Sequence, residues 1–359
     1  QQGHMKLHAR SVASSADVPD ELFDAVVDEL VTSGEIKVWK AAEILEEKRG
    51  RSGGQTAAGA AAGKVILLGE HAVVYGKHAV ALPIADAVSA EVRSAEQAST
   101  VSVPAWNIRD QAVADDASGV GAAVTLILQE LGIADSHFAI RLHSSLPRAM
   151  GLGSSAAFAV AIVRAFDAEL GLGLDNAKIN AVAFACEKLA HGTPSGIDNT
   201  VATYGEAMLF RRAESLELEK LKLVEPVPLV IACSSQSGLT AEQVAGVRRR
   251  RAQSRAQYDA VFEQMDALSL TGAAALARGD YAELGMLMNV CHGLLNAIEV
   301  STPELEAMVS IARSAGAAGA KVTGSGGGGS IVALSPGAVD DVRDALEEAG
   351  FLTLGHSKT

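Results

Sequence analysis

The sequence predicts an α+β fold in two domains with a short helical N-terminal appendage. Three observations carry this. Apolar, β-branched runs and helix-period runs are mixed along the chain, without the regular alternation that a parallel sheet with crossover helices requires. From about residue 254 to 314 the pattern is helical almost throughout. The chain has 359 residues, 48% hydrophobic and 20% charged, which is long for one domain and enough to give two a core each.

The elements follow in order. "DVPDELFDAVVDELVTSG" opens with the helix-start signals Asp17 and Pro19 and stops at Gly34, and a shorter helix is expected over 37–48. Residues 49–63, "RGRSGGQTAAGAAAG", are small and lack an apolar period, so they read as a linker, with the main body beginning at Lys64. "KVILLGEHAVVYGKHAVALPIADAVSAEVR" reads as a strand, a turn punctuated by Gly69 and Gly76, and further strands. "HFAIRLHSSLP" alternates like a strand, and "AAFAVAIVRAFDAELG" is a buried helix closed by Gly171. "NAKINAVAFACEKLAHG" is a second helix, and "PVPLVIACSSQ" a strand. "TAEQVAGVRRRRAQ" is a helix with Thr240 as its N-cap. "AGAKVTGSGGGGSIVALSP" reads as strand, glycine loop, strand. The passage between the two domains is expected at 225/226.

Composition narrows the function. A net charge of −13 argues against nucleic-acid binding, which needs a basic face. The run Arg248 to Arg251 then reads as a solvated helix face. Cys186, Cys233 and Cys291 show neither a disulfide framework nor zinc spacing, which favours a reducing cytoplasm. Charge interrupts each apolar run before membrane-spanning length, and no signal peptide is expected.

"PRAMGLGSSAA", residues 147–157, places glycines and serines between a strand and a helix. Glycines let phosphate oxygens approach the backbone, and a helix N-terminus supplies free N–H groups and a positive dipole end. Ser155 can add a hydroxyl to a phosphate-bound Mg²⁺. The competing reading is a tight turn with close helix packing, and the glycines alone weigh about evenly between the two. "EKLAHGTPSGIDNTVATYG" puts Glu187 on a helix and Asp198 in a following turn, where either acid could equally be a cap or a surface charge. Lys64, Glu70 and His71 stand at a strand start and turn. Taken singly, Lys64 reads as an exposed lysine and His71 as a satisfied core histidine. "GSGGGGS", 324–330, lies between apolar β-like runs, which favours a tight loop over a flexible hairpin.

Together and in this order, these stretches resemble the three signature motifs of the GHMP kinase superfamily. "GEHAVVYGKHAVALPI", "HGTPSGIDNTVATYG" and "MNVCHGLLNAIEVSTPELE" resemble the mevalonate kinases within it. The resemblance implies a ribosomal-protein-like N-terminal domain (64–225) and a ferredoxin-like C-terminal domain (226–359). It implies transfer of the ATP γ-phosphoryl to the C5 hydroxyl of (R)-mevalonate with Mg²⁺. By position, Asp198 matches the catalytic base and Lys64 the lysine beside the reacting hydroxyl. Glu187 and Ser155 match the Mg²⁺ ligands. Ala149, Met150, Gly151, Leu152, Gly153, Ser154 and Ser155 match the triphosphate loop, and Ser144 a nucleotide contact before it. His71 and Thr240 match substrate-side positions. The resemblance also implies a homodimer.

Some residues depart from the family pattern. "QSGLT" lacks the family's basic residue before Thr240, "VPAWN" displaces Asn107 from an adenine-contact position, and Ser330 replaces a cysteine without expected consequence. Another GHMP small-molecule kinase, acting on phosphomevalonate or a sugar, is the nearest alternative, and a non-catalytic ligand-binding homologue the next. Residues 1–48, beginning "QQGHMKLHARSVA", resemble the C-terminal flap of class II HMG-CoA reductase, with His4 at its catalytic histidine. That resemblance implies fusion to, or association with, such a reductase. The alternative is a cleavage scar followed by an unrelated helical extension.

Overall fold

The computed structural model describes residues 58–354 apart from 117, 118, 193, 214, 215 and 239. The helices expected over 17–48, the first part of the linker and His4 lie outside the described residues.

Two sheets organise the described chain. The first has seven strands: β1 (Ala58–Leu68), β2 (His78–Ser94), β3 (Thr100–Val103), β4 (Ile108–Ala112), β5 (Phe138–Ser144), β6 (Met208–Arg212) and β7 (Leu216–Lys220). Its order is β4-β3-β5-β2-β6-β7, with β1 also paired to β2, and every pairing is antiparallel except β3 with β5. β2 is the hub. Its 17 residues meet β6 at the start and β5 at the end while β1 runs along it. The second sheet comprises β8 (Leu229–Cys233), β9 (Gly319–Thr323), β10 (Ser330–Leu334) and β11 (Leu352–Leu354), in the ferredoxin-like order β11-β8-β10-β9. Pairing is antiparallel in both sheets apart from β3 with β5, which fits an α+β fold and not a parallel sheet with crossover helices.

The helices are α1 (Val120–Glu130), α2 (Ser154–Leu170), α3 (Asn176–His191), α4 (Ile197–Tyr204), α5 (Thr240–Gln253), α6 (Arg255–Arg278), α7 (Tyr281–Ala297), α8 (Pro303–Ser314) and α9 (Val339–Glu348). α2 is apolar nearly all round, and residues Ala156 to Val163 are all buried, so it runs through the core against β1 and β2. Gly171 closes it in a left-handed conformation. None of the described helices is long and apolar enough to cross a membrane.

Three local expectations need correction. Part of the expected linker is strand, because β1 begins at Ala58 and not at Lys64. The small residues that suggested a linker are there because α2 lies almost on the strand. A Cβ on Gly59 would stand 2.1 Å from the Ala161 carbonyl oxygen and 2.4 Å from the Ala165 nitrogen. Asp198 sits in the first turn of α4 and not in an open turn. Thr240 is the first residue of α5 and not its cap, and its hydroxyl lies beside Ser325.

Candidate active site

Lys64 on β1 is buried, and its contacts define the centre of the site. Its backbone N–H donates to the Leu152 carbonyl at 2.9 Å, and its Nζ donates to the Gly151 carbonyl at 2.9 Å. The same Nζ lies 3.4 Å from Asp198 Oδ1. A strand, a glycine loop and a short helix therefore converge on one ammonium group.

The loop is shaped for an anion. Ala149, Gly151 and Gly153 have φ of 60°, 76° and 75°, alternating with residues of ordinary φ. Such alternation turns successive N–H groups toward one concavity. Gly153 is also needed sterically, because a Cβ there would come within 2.8 Å of Lys64 Cγ. It precedes α2 without a side-chain cap, so the first N–H groups of α2 keep their positive end for a ligand.

Ser155, in the first turn of α2, donates to Glu187 Oε1 at 2.6 Å. Glu187 projects from α3 and is buried. Burial, and then the charge of Asp198, push its carboxyl up to about 7, against the Ser155 hydrogen bond and the Lys64 charge. His191 stands one turn on, 3.8 Å from Glu187 Oε2.

The remaining expected residues fall into place unevenly. Ser144 is buried with its hydroxyl in a local ring: it donates to the Leu146 carbonyl and accepts from the Leu146 N–H, both at 3.1 Å. It shapes the entry to the loop. His71 has a strained φ of 60°, and its Nε2 meets the Ser325 carbonyl at 2.9 Å. A carbonyl only accepts, so Nε2 carries the proton. Burial lowers the pKa of this imidazole to about 4, so it is neutral near pH 7. Thr240 Oγ1 lies 3.3 Å from Ser325 Oγ. His71 and Thr240 thus meet through one serine of the second glycine loop.

The family profile "GHMP kinases N terminal domain" matches residues 118–206, and "GHMP kinases C terminal" matches 273–351. Mevalonate kinase of Pyrococcus abyssi is 36% identical over 314 residues, covering 80% of this chain and 91% of that protein. Mevalonate kinase of Methanothermobacter thermautotrophicus is 38% identical over 284 residues, covering 79% and 91%. The crystal structure of L. major mevalonate kinase in complex with R-mevalonate superposes with a TM-score of 0.74 at 30% identity, covering 85% of this chain and 94% of that one. The chain belongs to the mevalonate kinase family of the GHMP kinases.

This GHMP kinase has a second set of residues whose partnership sequence reasoning passed over. They form the seam between the two sheets. Lys321, in the middle of β9, is fully buried and paired with the equally buried Glu70 beside His71. Thr323 Oγ1 donates to the Ile66 carbonyl at 2.9 Å and accepts from the Ile66 N–H at 3.1 Å. Ser330 donates to the Met150 carbonyl at 3.0 Å and so ties β10 to the first glycine loop. The available signal was Lys321 itself, one lysine inside the otherwise uncharged run "GAKVT".

Proposed function

We propose that this kinase transfers the γ-phosphoryl of ATP to the C5 hydroxyl of (R)-mevalonate, giving 5-phosphomevalonate and ADP. The contact between Lys64 Nζ and Asp198 Oδ1, beside the glycine loop, carries the reading. Asp198 accepts the proton of the attacking hydroxyl as the new O–P bond forms and the bond to the β-phosphate oxygen breaks. Lys64 stabilises the developing alkoxide and the charge spread over the transferring phosphoryl. The N–H groups of Ala149 to Ser155 hold the phosphates, and Ser144 shapes the loop behind them. His71 and Thr240, joined through Ser325, form the wall on the acceptor side.

Mg²⁺ fits the residues present. Ser155 and Glu187 offer oxygen donors only, as a hard cation prefers, and their contact brings both oxygens to one point. Among the described residues no group of three His, Cys, Asp or Glu side chains is placed to hold a metal ion, so phosphate and water oxygens would have to supply the remaining ligands. The ion would neutralise phosphate charge. The three free thiols fit a reducing cytoplasm.

Steady-state ADP release with mevalonate, phosphomevalonate and galactose as competing acceptors tests the reading. Selective turnover of mevalonate is expected, and selective turnover of either rival would replace it. For residues 1–48 the reading is a reductase-like segment, with His4 at the position of the reductase's catalytic histidine and no part in phosphoryl transfer. Deleting residues 1–56 is then expected to leave kinase turnover unchanged.

A further inference from the structure

We propose that Arg164 is a positioning residue for phosphoryl transfer, tying the strand that carries Lys64 to the helix that carries Asp198. The proposal rests on the roles given to those two residues above. Arg164 lies on α2, nine residues beyond Ser155 and so about 14 Å further along the helix. Its Nη1 donates to the Ala60 carbonyl of β1 at 2.5 Å. Its Nη2 donates to the Thr203 carbonyl of α4 at 2.6 Å, with a longer contact of 3.4 Å to Asn176 Oδ1 at the start of α3. The four elements that carry Lys64, Ser155, Glu187 and Asp198 at the site are thus joined at their far end by one guanidinium.

The chemistry of that contact is unusual for a surface arginine. No carboxylate lies within ion-pair reach of Arg164 among the described residues, and burial alone lowers its pKa. The half-buried guanidinium is hydrogen-bonded to backbone carbonyls and not to a carboxylate. A planar fork of five donors can serve several acceptors at once, which a lysine ammonium does less well. The Thr203 carbonyl is in the last turn of α4, where a cation also complements the helix dipole.

The joined elements do not depend on Arg164 equally. β1 and α2 are already locked by the backbone contact at Gly59. α4 has only eight residues, no side-chain cap at its start, and left-handed glycines, Gly196 and Gly205, at both ends. Losing Arg164 therefore loosens α4 more than α2. Asp198 shifts while Ser155 and the phosphate loop stay in place. The consequence is a split: the chemical step slows and ATP binding holds.

The test compares the full chain, R164M and R164K by steady-state kinetics with ATP and mevalonate, alongside thermal melts and D198N. R164M is expected to lose about 10- to 100-fold in kcat, the scale of a small misplacement of a reacting group. Its KM for ATP is expected to stay within about twofold. R164K is expected to recover part of kcat. A folded R164M with unchanged kcat, or with KM for ATP rising in step with the loss of kcat, overturns the proposal. If R164M fails to fold, a folded R164K with full kcat overturns it as well, and one with reduced kcat and unchanged KM supports it. D198N separates the two levels: if D198N keeps turnover, the catalytic reading fails. If D198N is inactive and the Arg164 variants are normal, only the clamp fails.

Discussion

Two pairs of a buried lysine with a carboxylate join distant parts of this kinase, and they differ in what surrounds them. Lys321 and Glu70 are both sealed, with side-chain exposure of 0% each. Lys64 is nearly as buried at 6%, but its partner Asp198 is 31% exposed and the separation is 3.4 Å. The sealed pair connects β9 to the turn after β1 and leaves no room for a reactant. The open pair faces a glycine loop and keeps one carboxylate accessible to a hydroxyl. The same two side-chain types therefore make a sealed joint in one place and a contact open to a reactant in the other, and access on the carboxylate side separates them.

The comparison can be broken most sharply at Asp198. Asp198→Asn keeps the shape and removes proton acceptance, so kcat is expected to fall by roughly 10²–10⁴ with the melting temperature little changed. Near-normal turnover in a folded variant would remove the distinction between the pairs. At the sealed pair the expected effect is on stability. Lys321→Met strands the buried Glu70 carboxylate and is expected to cost about 3–5 kcal/mol by denaturant unfolding. Replacing both partners, Glu70→Leu with Lys321→Met, is expected to cost less than the single change, because no buried charge is left alone. A double variant worse than the single would show that the charges do more than balance each other.

A smaller effect sharpens the open side. The Glu187 carboxyl is raised from 4.5 to about 7, so the folded protein holds a proton there that the unfolded chain has released. Its contribution to stability is thus present below about pH 4.5 and lost as pH rises to about 7. Glu187→Gln cannot titrate. Without Mg²⁺ or nucleotide, its stability relative to the parent is expected to rise with pH across that window, by at most about 1.4 kcal/mol per pH unit. A flat difference would mean that Glu187 is not held protonated. The smallest effect is expected at Ser330→Ala, which leaves the Met150 carbonyl without its donor and should cost about 1 kcal/mol. A small rise in KM for ATP should accompany it, because that carbonyl belongs to the glycine loop proposed to hold the phosphates.

Much of the site was legible in the sequence, for local reasons. A strand, a Gly-Leu-Gly-Ser-Ser turn and an apolar helix mark a candidate anion cradle over a few residues, to which the structure adds the φ alternation at Ala149, Gly151 and Gly153. The β9–β10 hairpin around the second glycine loop was equally local. Small residues misled, because the sequence does not say what lies against them. "AAGAAAG" suits a linker, and it equally suits a strand pressed on a helix backbone, as at Gly59.

By itself the sequence determined the α+β class, the glycine loops and the residue types able to move a phosphoryl group. Periodicity and turn chemistry are properties of short segments. Tertiary structure alone decided which partners those residues meet: Lys64 with Asp198, 134 positions apart by their numbering, and Lys321 with Glu70, 251 apart. It also gave Arg164 its carbonyls on β1 and α4. Whether a charged side chain is a catalyst, a joint or a clamp depends on distance and access to water, and chain folding sets both.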